Sequence, residues 1–383
     1  MERIYFDNGS TSFPKAPGVS DAVKSLLDNG AFNINRGGYE EAYAISEQVL
    51  ETREMLCRLF DFGKPRNVVF TPSITYSLNY LIKGYLKEGD HVLCSSMEHN
   101  AVTRPLVQME KRGVAFESVP CFEDGTMDPK ELEKMIRPET KAVIMSCASN
   151  VCGTMLPVKE VGRICHERGI AYIVDTAQIA GTFPISMKEC HIDGLTFTGH
   201  KSLLGPQGVG GMLISDSLAK ETEPLIAGGT GSVSHLEEMP DFMPDRFESG
   251  TMNLPGIIGL RAALLYHKGL KEGELARHEL ELAMRFLRGV EEIKGTRPVG
   301  LKTPENRAAI VSVDFVNDDN ARVAFELESR YGIMTRVGLH CAPRAHKTLG
   351  TYPQGTVRFS FGGGNSLQEV DFCLDALKKI LEK

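Results

Sequence analysis

The sequence predicts an α/β fold with a mainly parallel sheet and a smaller α+β C-terminal domain, and three observations lead there. Short apolar, β-rich runs recur at 67–70, 91–94, 142–145, 171–174, 194–197 and 211–214. Helix-length segments at 39–60, 75–86 and 158–168 alternate with the earlier runs, which calls for crossover connections and parallel pairing. At 383 residues the chain exceeds the size at which one hydrophobic core stops growing. Two domains are expected: a large one at 15–260, and a small one made of 1–14 and 261–383.

The opening Met1-Glu2-Arg3-Ile4-Tyr5-Phe6-Asp7 carries charges where a secretory signal needs an apolar run, and no segment approaches the roughly 20 apolar residues of a membrane span. A cytoplasmic protein without membrane contact is expected. In parallel sheets ligands collect beyond the carboxyl ends of the strands, where Asp175 and the loop after Phe70 lie. After Gly256 the pattern changes to one helix reaching about Lys271, another reaching about Glu292 and a strand at 309–315. Asn365-Ser366-Leu367-Gln368-Glu369 contains a capping box and opens a last helix with Leu367, Val370, Leu374 and Leu377 on one face. The N-terminal arm is expected to complete this smaller unit.

The net charge of -7 is spread along the chain with no Lys/Arg-rich stretch, so nucleic acid is not an expected partner. Nine cysteines without any Cys-x-x-Cys pair argue against a disulfide framework and a structural zinc site. Cys57, Cys94, Cys147, Cys165 and Cys373 lie in apolar stretches and read as small buried hydrophobes. Cys341 differs, with Gly, His and Pro as neighbours.

Lys201 is the most informative residue. It closes Thr198-Gly199-His200-Lys201, downstream of a strand ending in Asp175 and of Gln178. A lone Gly-His-Lys is most often a surface loop, but this order suits pyridoxal phosphate: the lysine amine condenses with the cofactor aldehyde, and a carboxylate keeps the pyridine nitrogen protonated. Thr198 and His200 offer donors to a phosphate, and Gly205, Gly208, Gly210 and Gly211 allow close backbone packing. Gly205-Pro206-Gln207-Gly208-Val209-Gly210 precedes a strand, which rules out a dinucleotide-binding loop.

Other candidates gain weight from this frame. Ser73-Ile74-Thr75 opens a helix after a strand; alone it is an ordinary N-cap, but its amides and the Thr75 hydroxyl can meet a phosphate. His99 and Asn150 each follow a strand end; the imidazole suits stacking on a cofactor ring, and the amide suits the cofactor 3′-oxygen or a substrate carboxylate. Arg358, inside the strand-like Thr356-Val357-Arg358-Phe359-Ser360, suits carboxylate capture over a solvated strand face. In Arg336-Val337-Gly338-Leu339-His340-Cys341-Ala342-Pro343 a thiol sits beside an imidazole and five residues after an arginine, a setting for a nucleophile in which His340 lowers the thiol pKa. A metal site at His340, Cys341 and His346 lacks a fourth ligand nearby, and no metal is expected.

These residues resemble the class V aminotransferase fold and, within it, the cysteine desulfurases, a group that includes selenocysteine lyases. The motifs are Tyr5-Phe6-Asp7-Asn8, Asn33-Ile34-Asn35-Arg36-Gly37, Glu98-His99, Ser149 to Thr154, Asp175-Thr176-Ala177-Gln178, Gly199-His200-Lys201, Phe247 to Thr251 and Arg336 to Pro343. The resemblance implies a pyridoxal phosphate-dependent transferase of fold type I with a seven-stranded sheet. It implies Lys201 as the cofactor lysine, Asp175 on the pyridine nitrogen, Gln178 on the 3′-oxygen and His99 on the ring. Ile74, Thr75, Thr198 and His200 would hold the phosphate, with Thr251 reaching it from the other subunit of a homodimer. Cys341 would form a persulfide, and Asn150, Arg358, Arg36 and His340 would bind the substrate, L-cysteine or L-selenocysteine. The short stretch between Cys341 and Arg358 resembles the group with an ordered cysteine loop. Ile74, Tyr76, Asn100, Leu339 and Cys152 depart from the usual pattern, which is similar to a less characterised, selenium-associated branch. The expected activity is L-cysteine desulfuration with sulfur passed to an acceptor protein. Selenocysteine lyase and a non-catalytic sulfur carrier remain as alternatives.

Overall fold

The computed structural model describes residues 3–34 and 37–382. Its larger sheet has seven strands in the spatial order Val68–Thr71, Gly210–Ile214, Gly194–Thr198, Ala171–Asp175, Thr140–Ser146, His91–Ser95 and Ala115–Val119. Gly210–Ile214 pairs antiparallel with both neighbours, and the remaining pairings are parallel. Helices cover both faces, which is why the strands read as continuous apolar runs. Tyr172 and Val174 enter one core cluster with Ile45, Val49 and Leu56 of helix Glu40–Leu59, whereas Ile173 between them joins Leu78, Leu81, Val102 and Leu106 in the other. That two-residue alternation fixes the register of the sheet.

A second, antiparallel sheet has the order Arg336–Gly338, Thr356–Ser360, Ile310–Phe315 and Thr296–Val299. Helices Glu274–Glu291, Asn320–Tyr331 and Leu367–Leu381 bury Leu282, Phe286, Val323, Leu327, Leu374 and Leu377 in its core. The start of the chain joins it: Ile4–Tyr5 pairs with Ile333–Met334, Asp7 bridges Ser360, and Phe6 packs edge-on against Phe361.

The capping box forms, with Glu369 N–H donating to Ser366 Oγ at 3.3 Å and Ser366 N–H donating to Glu369 Oε2 at 2.8 Å. Leu367 stays 38% exposed, so the buried stripe of the last helix begins at Val370. The expected boundary at 260/261 runs through helix Leu254–Gly269, whose Ile257, Ile258, Leu260 and Leu264 pack with the large sheet. Among the described residues no helix is long and apolar enough to cross a membrane.

Gly211 lies between two strands so closely that an added Cβ would stand 2.4 Å from Val69 O and 2.6 Å from Phe197 Cζ. Gly211→Ala is expected to lower stability by about 1–3 kcal/mol. Urea unfolding checks this; an unchanged midpoint would mean the sheet has slack between Val68–Thr71 and Gly194–Thr198.

Candidate active site

Strand Gly194–Thr198 leads into a tight turn, closed by Gly199 N–H donating to Val209 O at 2.9 Å and Gly205 N–H donating to Gly199 O at 2.8 Å. The turn brings Lys201 within the field of Asp175, the last residue of strand Ala171–Asp175. Burial lowers the Lys201 amine to about 8; Asp175 opposes the fall, and Arg358 and Arg336 add to it. Burial also raises the Asp175 carboxyl, while the Ala177 N–H, 2.8 Å from Oδ1, and Lys201 favour its ionised form. Gln178 donates through Nε2 to Gly9 O at 3.3 Å and shares a small cavity of about 30 Å³ with Lys201.

Helix Ile74–Tyr85 starts beside this turn with no side-chain cap on its first turn, leaving backbone donors for an anion. Gly210 packs against it; an added Cβ there would stand 2.9 Å from Ile74 N. The Ile74 side chain is buried in the core, and Thr75 is exposed. Thr198 Oγ1 and His200 Nδ1 are buried without a hydrogen-bond partner. Burial lowers His200 to about 4, so its ring is neutral. Bare buried polar atoms are costly, and a phosphate would satisfy these two. An amine of lowered pKa, a buried carboxylate and orphaned hydroxyl and imidazole atoms together fit pyridoxal phosphate.

His99 caps helix Asn100–Glu110, its Nδ1 accepting from Ala101 N–H at 3.0 Å. Burial, then the charges of Lys201, Arg336 and Arg358, lower the ring to about 3. A neutral ring accepting at Nδ1 carries its proton on Nε2. Glu98 before it is buried, held by Ser95 Oγ and by Ser146 Oγ at 2.7 Å, and burial raises its carboxyl to about 7.

Arg358 is 1% exposed, and its guanidinium joins three segments. Nη1 donates to Asn150 O at 2.9 Å, and Nη2 donates to Asp7 Oδ1 and Ser10 Oγ, each at 2.8 Å. Its Nε has no partner. Arg336 donates from Nη1 to Ser10 Oγ at 3.0 Å and from Nη2 to Cys341 Sγ at 3.5 Å.

Cys341 is exposed, and with His340 it adopts positive φ, 58° and 48°. Two consecutive non-glycine residues in this region persist only where their surroundings over-determine them. Here Asn150 Nδ2 donates to His340 O and Asn100 N–H donates to Cys341 O, both at 2.7 Å. Cys341 thereby lines one cavity of about 250 Å³ with Thr75 and His99.

His340 departs from expectation. Its ring is buried between His346 Nε2 at 3.3 Å and Arg336 O at 3.2 Å, and burial followed by the Arg358 charge lowers it to about 2. A neutral, buried ring supplies no charge to the thiol; the cation beside Sγ is Arg336.

Lys201, Asp175, His99, Asn150, Arg358 and Cys341 thus converge on the carboxyl edge of the large sheet. Thr251 is exposed in a stretch at 223–253 without helix or strand and lines a different cavity, with Pro72 and Tyr76. Arg36 lies outside the described residues. Sequence reasoning gave no task to Asp7, Ser10 or Glu98; the signal available was a carboxylate directly after an apolar pair at Tyr5-Phe6 and another beside His99.

Fold and site define an aminotransferase-type enzyme scaffold, and residues 4–372 match the model of the aminotransferase class-V family. The chain belongs to that family. A probable cysteine desulfurase of Methanothermobacter thermautotrophicus is 31% identical, over 99% of this chain and 95% of the relative. The apo structure of the cysteine desulfurase from Thermococcus onnurineus superposes with a TM-score of 0.91 at 30% identity, covering 99% of this chain and 95% of that one. The cysteine desulfurase CsdA from Escherichia coli, solved with an S-sulfonic acid, gives 0.88 at 26% identity, again with 99% and 95% coverage.

The lowered Lys201 pKa has a direct chemical readout. In apoprotein, acetylation of Lys201 by acetic anhydride should rise with pH through a midpoint of about 8, while exposed lysines keep rising toward about 10.4. Asp175→Asn removes the charge that stabilises the ammonium, so the midpoint should fall further. Peptide mass spectrometry reads both; a Lys201 midpoint like that of exposed lysines would contradict the burial.

Proposed function

We propose that this protein is a pyridoxal phosphate-dependent cysteine desulfurase that converts L-cysteine to L-alanine and leaves the sulfur as a persulfide on Cys341. The observation that carries this reading is the shared cavity of Cys341, His99 and Thr75 beside Lys201 and Asp175. When bound, the cofactor would act as an electron sink for a carbanion at the substrate Cα. Lys201, with an amine near neutrality, removes that proton and returns it. Asp175 would keep a proton on the pyridine nitrogen, and His99 would offer the ring a neutral surface. The Cys341 sulfur attacks the substrate sulfur; the substrate C–S bond breaks, its electron pair stays on carbon and is protonated, and alanine leaves. Arg358, whose Nε has no partner, is the group for the substrate carboxylate, with Asn150 beside it holding His340 O.

The exposure of Cys341 supports transfer of the sulfur to an acceptor protein. The exposure of Thr251, with Leu225, Ile226 and Phe242 also exposed in the same irregular stretch, supports a homodimer in which Thr251 reaches the neighbouring phosphate site. Selenocysteine lyase activity and a non-catalytic carrier are not favoured by the desulfurase relatives.

Cys341→Ala is expected to cut alanine release from L-cysteine by about 100-fold or more while pyridoxal phosphate uptake persists. Wild-type protein exposed to L-cysteine should gain the mass of one sulfur atom on the Cys341 peptide. Wild-type alanine release from the alanine variant would refute the covalent step.

A further inference from the structure

Arg307 is 1% exposed, and none of the ion pairs among the described residues gives it a carboxylate. A buried guanidinium without an anion is expensive to keep, and burial indeed lowers its pKa. Its hydrogen bonds go to backbone carbonyls: Nη1 donates to Leu301 O, and Nη2 donates to Ile310 O at 2.6 Å and Cys152 O at 3.3 Å.

Cys152 O belongs to a run of four consecutive carbonyls, each taken by a donor from the smaller sheet or the segment leading into it. Asn150 O accepts from Arg358 Nη1 at 2.9 Å, Val151 O from Ser312 Oγ at 2.6 Å, Cys152 O from Arg307, and Gly153 O from Ala308 N–H at 2.7 Å. Gly153 has φ 78°, and an added Cβ would stand 2.7 Å from Ala308 O and 2.8 Å from Ile310 O, so the loop lies flat against its partner. The clamped loop ends in Asn150, whose Nδ2 holds His340 O at 2.7 Å next to Cys341. A chain of contacts therefore runs from Arg307 through the 150–153 loop to the positive-φ pair at His340 and Cys341.

We propose that Arg307 is a positioning residue for the Cys341 loop: by fixing the Cys152 carbonyl it sets the Asn150 amide that holds His340, and so places the Cys341 sulfur. The consequence for sulfur transfer rests on the desulfurase reading; the positional claim does not. A solely structural role would stabilise the contacts at Leu301 and Ile310 without reaching the thiol loop.

The test is amide hydrogen exchange on the full-length protein, wild type against Arg307→Met, Arg307→Lys and Ser312→Ala. Peptides covering 338–343 and 99–101 should exchange at least about ten-fold faster in Arg307→Met and Ser312→Ala, with Arg307→Lys between these and wild type, while the helix Leu367–Leu381 keeps its protection. In parallel, persulfide formation on Cys341 from L-cysteine should slow by about ten-fold, with cofactor uptake unchanged. If Arg307→Met fails to fold, Arg307→Lys and Ser312→Ala still decide the matter. Unchanged exchange at 338–343 with loss of protection confined to 301–312 overturns the proposal. Faster exchange in a protein whose wild type forms no persulfide leaves the positioning claim standing and refutes the desulfurase reading instead.

Discussion

The ion pair between the buried Arg358 and the half-buried Asp7 is the interaction on which the arrangement depends. Arg358 projects from a central strand of the smaller sheet, Asp7 belongs to the N-terminal arm, and Asn150 follows a strand of the larger sheet, so one guanidinium meets three distant parts of the chain. Such a group is costly to desolvate, and removing a single partner from a buried pair typically costs about 3–5 kcal/mol. That asymmetry makes the pair a strong determinant of how the two sheets meet.

The same desolvation shapes the chemistry. Burial keeps both His99 and His200 neutral, aided by Lys201, Arg336 and Arg358 around His99 and by Lys201 and Lys15 around His200, and burial lowers the Lys201 amine to about 8. The Asp175 carboxylate, and to a smaller extent Asp7, offset part of that fall. Burial and cationic crowding are therefore the means by which a lysine with an ordinary pKa near 10.4 in water becomes usable as a base at neutral pH.

Much of this was legible in the residue order. Six strands of the large sheet follow from apolar runs, since strands buried on both faces leave an unbroken signal. Ala115–Val119 does not, because an edge strand with Ala115 exposed and Glu117 half-exposed lacks that signal. Lys201 and Asp175 stand out because charges at strand ends conflict with the surrounding pattern. The neutrality of His340 was hidden: adjacency to Cys341 in sequence says nothing of direction, and with positive φ at both residues the ring is buried while the sulfur is exposed. The tasks of Asp7 and Ser10 were equally hidden, since they meet Arg358 across a long span of chain, as Arg307 meets Cys152 O.

Of nine cysteines, seven are buried, Cys121 is partly covered and Cys341 is exposed. Air and peroxide therefore meet first the one sulfur the proposed chemistry requires, and conversion to a sulfinic or sulfonic acid would be irreversible there. The buried seven give the fold no comparable weakness. Ageing of this protein would silence it chemically long before it unfolded, and a preparation could look intact by every structural measure while having lost its reactive sulfur.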